Sequence, residues 1–119
     1  MADLTRDREA SYLAALDRLL ARRPAPDALF VPIELAGVMV LEELASRGIA
    51  VPDDVLLATT HDIGRGVATV PSITTLEWNY AELGRRAATM LLDLIDGTRS
   101  APCEEIVPTT LMPRASTAR

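Results

Sequence analysis

Apolar positions repeat along this chain with two different periods, and the change of period marks its elements. From residue 4 to 22, Tyr12, Leu13, Leu16, Leu19 and Leu20 recur at steps of three and four, which predicts a helix stopped by Pro24 and Pro26. Ala28-Leu29-Phe30-Val31 is a short run with apolar neighbours on both sides, the signature of a strand buried on both faces of a parallel sheet. A second helix is predicted from Glu34 to Arg47, with Gly48 at the left-handed position that closes it. Val55 to Thr60 reads as another buried strand, and His61 to Gly66 as a polar, glycine-bearing loop. Residues 67–78 are irregular to extended, with a short strand at Ile73–Leu76. Asn79 to Asp96 is the clearest helix: Asn79 and Glu82 form a capping-box pattern, and Tyr80, Leu83, Ala87, Leu91, Leu94 and Ile95 build an apolar stripe that predicts burial. Glu105 to Leu111 is a last strand, which Pro108 confines to an edge or a bulge.

Strands alternating with helices imply crossover units. The predicted fold class is α/β, three-layer, with a mostly parallel sheet and helices on both faces. The length of 119 residues allows one domain, spanning 1–119, and not two ordinary ones. Aromatic residues make up only 3% of the chain, so the core is aliphatic. The helix after the first strand is apolar nearly all round, so it is expected to be covered on two sides, once by its own sheet and once by a second subunit.

Charge narrows the partners. The net charge of −5 disfavours duplex DNA as a direct partner, and Arg22-Arg23 and Arg85-Arg86 are helix-face pairs rather than a basic patch. A single cysteine, Cys103, excludes an internal disulfide and fits a cytoplasmic setting. No apolar run reaches the length of a membrane span, about 18 residues or more, and the charged start lacks a signal-peptide core.

Catalytic patterns are missing. Gly64-Arg65-Gly66 lacks the third glycine of a phosphate loop and precedes no predicted helix. One histidine and one cysteine cannot make a metal cluster, so neither a metal nor a cofactor is expected. Carboxylate pairs at Asp53-Asp54, Glu42-Glu43 and Glu104-Glu105 fall in a turn, on a helix flank and in a loop. What remains is geometric, since open parallel sheets bind ligands beyond the carboxyl ends of their strands. Those ends carry Pro32-Ile33-Glu34 and Thr59-Thr60-His61-Asp62, with Trp78 just before the long helix. An indole beside polar groups can stack on a sugar ring or a base. Equally, Asp62 can cap a turn, Trp78 can plug the core end, and His61 can be an ordinary loop residue.

Several segments, in order, resemble a known family. Asp27-Ala28-Leu29-Phe30-Val31, then Gly48 through Val55 with Val51-Pro52-Asp53-Asp54, are similar to the "DAIFA" strand and "VP-x-DV" turn of LacI/GalR-type transcriptional regulators. Pro71-Ser72-Ile73-Thr74-Thr75-Leu76, Leu83-Gly84-Arg85-Arg86-Ala87 and Arg114-Ala115-Ser116-Thr117 continue the likeness over about residues 10–117.

The resemblance implies one lobe, the C-terminal one, of a periplasmic-binding-protein-like effector-binding core, and no enzyme. It implies a small-molecule, sugar-like effector contacted by Ile33, Glu34, His61, Asp62 and Trp78. It also implies a homodimer formed through Val38, Leu41, Glu42 and Ala45, with Val67, Ala68, Thr69 and Val70 beside them. Operator DNA would be met only through a helix-turn-helix domain outside this segment, in the cytoplasm. Departures are clear: Ile33 and Glu34 replace the family's Asn-Asp, and His61 replaces its first effector-contacting Asp. A lobe of a periplasmic-type sugar-binding protein is the alternative, and a third reading is an enzyme using His61 and Asp62 as an acid–base pair.

Overall fold

The structure, a computed structural model, describes residues 4–61 and 64–119. Its elements run α1 (Leu4–Leu20), β1 (Ala28–Val31), α2 (Glu34–Ser46), β2 (Leu56–Thr60), β3 (Thr74–Glu77), α3 (Tyr80–Ile95) and β4 (Thr110–Met112), with short 3₁₀ turns at Gly66–Ala68 and Ala115–Thr117. The four strands form one sheet in the order β1-β2-β3-β4. The first three are parallel and β4 runs antiparallel along β3. This is the mostly parallel α/β arrangement that the alternating periods predict.

The core lies where α1 and α2 cover one face of the sheet. Leu29, Val31 and Leu57 from the strands meet Leu16 of α1 and Val40, Leu41 and Leu44 of α2, with Leu44 and Leu57 wholly excluded from solvent. Gly37 brings α2 down onto β2, because a Cβ there would collide with the Thr59 methyl group. Arg47 ties the two helices, pairing with Asp17 of α1 at 2.6 Å and with Glu43 of its own helix at 2.7 Å. Gly48, at φ +71°, supplies the left-handed residue that ends α2.

Of the two helical layers expected, the described residues supply one. Phe30, on the opposite face of β1, is 62% exposed. α3 has no buried residue, and Tyr80, Leu83, Leu91 and Ile95 of its apolar stripe are exposed, as is Leu92 beside it. Instead of lying on the sheet, α3 leaves the end of β3 and is followed back by an extended segment. Arg99 clips the two limbs together through Glu105 at 2.7 Å. The radius of gyration, 18.5 Å, records this projecting arm, since a compact domain of this length has about 13–14 Å.

Two local expectations change for stated reasons. The capping box does not form: Asn79 adopts a left-handed φ of 53° and gives its side-chain amide to the Pro108 carbonyl at 2.7 Å, while Glu82 turns to Arg85 and Arg86. These two guanidiniums hold the Glu82 carboxyl down at about 2. The last strand is shorter and later than expected, because residues 103–107 run beside α3 rather than in the ladder.

The returning tail is held to the sheet by several hydrogen bonds, among them those of one buried hydroxyl. Ser116 is fully buried; its Oγ donates to the Leu57 carbonyl at 2.5 Å and accepts the Thr74 N–H at 2.8 Å. Thr75, also buried, has a hydroxyl with no hydrogen-bond partner. Opposite outcomes follow. Ser116→Ala should lower stability by about 1–3 kcal/mol in urea denaturation, whereas Thr75→Val, which removes an unsatisfied hydroxyl at constant shape, should raise it by about 1 kcal/mol.

Candidate functional site

Because β1, β2 and β3 are parallel, their carboxyl ends open on one edge of the sheet. The Thr60 hydroxyl donates to the Pro32 carbonyl at 2.9 Å and joins the first two ends. His61 follows β2, with its N–H donating to the Leu76 carbonyl at 3.1 Å, so its backbone stays beside β3. Its φ of 70° then turns the chain out of the sheet. Left-handed φ is uncommon outside glycine, and histidine is among the residues that tolerate it.

That turn sets three rings in one corner. The His61 imidazole stands edge-on to Trp78, with centroids 6.1 Å apart at 82°, and edge-on to Tyr80, at 4.8 Å and 72°. Trp78 and Tyr80 are 5.9 Å apart at 33°. The Tyr80 hydroxyl and His61 Nδ1 are hydrogen-bonded to each other. Trp78 and Tyr80 remain about two-fifths exposed, at 42% and 38%. The corner therefore offers apolar ring faces together with imidazole, phenol and indole polar groups, a combination suited to a neutral ring bearing hydroxyls. Partial desolvation, and then the nearby Glu77 carboxylate, push the Tyr80 phenol above its usual pKa.

The predicted site residues divide. His61 and Trp78 are brought together. Ile33 lies at the same sheet edge, 44% exposed, at the start of α2. Asp62 lies outside the described residues. Glu34 is turned into the loop after β2: it is fully buried and its carboxylate accepts the Gly66 N–H at 2.7 Å, which leaves it no exposed surface for the expected effector contact. Tyr80 was missed, because helical periodicity assigned it to a buried stripe; its place two residues after Trp78 was the available signal. Among the described residues no group of His, Cys, Asp and Glu is placed to hold a metal ion.

The expected interface residues also divide. Glu42, Ala45, Val67, Ala68 and Val70 are exposed, and Val38 and Thr69 are half-buried. Leu41 is corrected: at 7% exposure it faces the sheet and belongs to the core. Helix rotation puts Leu35, 49% exposed, on the outward side in its place.

Comparison with known proteins decides the family. Residues 2–117 match the model of the periplasmic binding protein-like domain. The chain belongs to that family. The HTH-type transcriptional regulator CelR from Thermobifida fusca is 33% identical over 106 residues, covering 89% of this chain and 31% of that protein. The ribose operon repressor of Bacillus subtilis is 28% identical over 101 residues, 85% of this chain and 31% of that protein. A solved LacI-family regulator from Bifidobacterium animalis subsp. lactis superposes with a TM-score of 0.85 at 34% identity, over 92% of this chain and 40% of that one. A solved complex of CelR with cellobiose superposes at 0.81 and 32% identity, over 91% of this chain and 33% of that one. The resemblance to LacI-type regulators is thereby upheld, and these relatives are regulators rather than enzymes. The chain spans about a third of the length of the curated relatives named.

The corner makes a spectroscopic prediction. In an alkaline titration followed by phenolate absorbance, Tyr80 should ionise above the ordinary value of about 10. Tyr80→Phe should remove that late component. Glu77→Gln should bring it to lower pH, since removing a carboxylate makes the phenolate less unfavourable.

Proposed function

We propose that this chain is the effector-binding and dimerisation lobe of a LacI-type transcriptional regulator, with a sugar-like small molecule received at the carboxyl edge of its sheet. The observation that carries the reading is the ring corner of His61, Trp78 and Tyr80, half-open at the edge where parallel sheets take ligands. Ile33 contributes an apolar flank, and Asp62, which follows His61 directly, a carboxylate. His61 occupies the place of the family's first effector-contacting Asp, so an imidazole replaces a carboxylate and different hydroxyl partners are selected. Operator DNA is met by another part of the regulator, in keeping with the chain's charge of −5. The regulator acts in the cytoplasm; no helix among the described residues is long and apolar enough to cross a membrane. The relatives that are transcriptional regulators favour this reading over a lobe of a periplasmic sugar-binding protein.

The dimer surface follows from the exposed side of α2. Leu35, Val38, Glu42 and Ala45 form one outward stripe, and Val67 and Val70, the latter 96% exposed, extend it from the neighbouring 3₁₀ turn. A two-fold contact through this self-complementary patch would bury these apolar side chains.

Two measurements test the proposal. In thermal denaturation, cellobiose or one of a panel of mono- and disaccharides should raise the Tm, a ligand at about 100 times its Kd adding about 2.7 kcal/mol. Trp78→Ala and His61→Ala should cancel the rise; a rise unchanged in both variants, or none with any sugar, contradicts the site. In sedimentation equilibrium the chain should behave as a dimer and Leu35→Asp as a monomer, and equal masses would contradict this face.

A further inference from the structure

We propose that Glu34 is a positioning residue: its buried carboxylate, by accepting the Gly66 N–H, sets the path of residues 64–73 and so holds the ring corner and the Val67–Val70 surface in one fixed relation to α2. The part of this that concerns an effector rests on the reading of the corner as the effector site; the part that concerns the loop does not.

A carboxylate in the first turn of a helix is favoured by the helix dipole, and it can have that benefit without leaving solvent. Glu34 is instead wholly excluded from solvent. Burying an ionised group is costly unless hydrogen bonds compensate it, and here the 2.7 Å bond reaches across 32 residues to the loop after β2. The recipient is prepared for it. A Cβ on Gly66 would lie 3.2 Å from Glu34 Oε1 and 3.4 Å from the Ile73 Cβ, so only glycine fits without displacing a neighbour. The Gly66 carbonyl is engaged as well, accepting the Ile73 N–H at 2.8 Å and the Thr69 hydroxyl at 2.8 Å.

Gly66 is thus a pinned point between two outputs. Toward the C-terminus, Ile73 leads straight into β3, whose end carries Trp78 and Tyr80. Toward the N-terminus, four residues separate Gly66 from His61. Between Gly66 and Ile73, the backbone presents Val67 and Val70 outward. Both the candidate effector corner and part of the candidate dimer patch therefore hang from one side chain at the start of α2. A ligand that displaces His61 pulls on the same loop that shapes the 67–70 surface.

The test needs no ligand. Amide hydrogen exchange reports on Gly66 directly, and emission from Trp78, the only tryptophan, reports on the corner. Glu34→Ala should speed exchange at Gly66 by at least about tenfold relative to core amides such as Leu57, and should shift Trp78 emission. Glu34→Gln, which keeps an acceptor oxygen, should restore most of both signals. Val40→Ala, a core truncation, should lower global stability while leaving the Gly66-to-Leu57 ratio and the emission unchanged. If Glu34→Ala does not fold, Glu34→Asp, one methylene shorter, draws the acceptor back from the Gly66 N–H and should give the same local loss. Unchanged Gly66 protection in Glu34→Ala, or equal effects from Val40→Ala, would overturn the proposal. A wild-type chain that shows the exchange pattern but no thermal shift with any sugar would sink the effector reading and leave the positioning role standing.

Discussion

Parallel pairing of β2 with β3 is the constraint on which the site depends. In a parallel pair both strands finish at the same edge, so a residue after each is delivered to one place however far apart they are in sequence. Ala58, Thr59 and Thr60 sit opposite Thr74, Thr75 and Leu76, and the ladder continues one residue further through the His61 N–H. Slipping this register would separate the imidazole from the indole, because alternate residues point to opposite faces. The register is defended from several directions: by the core under α2, by the Ser116 hydroxyl bridging Leu57 and Thr74, and by the Gly66–Ile73 bond ahead of β3.

The edge is made of backbone features as much as side chains. His61 and Asn79 are the non-glycine residues with left-handed φ among those described, and each stands one or two residues beyond a strand end. Such conformations persist where the surroundings over-determine them and gather at functional places. At His61 the ladder bond and the Tyr80 contact do this; at Asn79 the bonds to Pro108 and to the Glu77 carboxylate do. The rings are thus placed by backbone hydrogen bonds at the strand ends.

Much of the fold is legible in the sequence because local signals and tertiary packing agree. Three helices and the first three strands fall within a residue or two of the predicted bounds, since Ala28–Val31 and Val55–Ala58 read as short apolar runs and Gly48 and Gly97 punctuate the helix ends. What periodicity cannot tell is what covers an apolar face. α3 has a clear stripe, and the described residues leave it uncovered. The same limit explains Leu41 and Leu35: a helix apolar nearly all round has no pattern to say which side meets the sheet. Glu34 was misplaced for a related reason. Its position at a strand end is visible in the sequence, but the direction of its side chain depends on Gly66, a partner 32 residues away. Tyr80 was hidden because one residue served both a helix pattern and a site.

Effector binding is proposed for the corner at the ends of β2 and β3. The most direct measurement is NMR titration of the chain with cellobiose and single monosaccharides, following the indole N–H of Trp78 and the ring protons of His61 and Tyr80. If the corner binds it, one sugar should shift all three together, with a common saturation curve, while the methyl groups of Leu44 of α2 and Leu57 of β2 stay in place. Shifts confined to the α3 arm or the α1–α2 core, with the three rings unmoved, would contradict it.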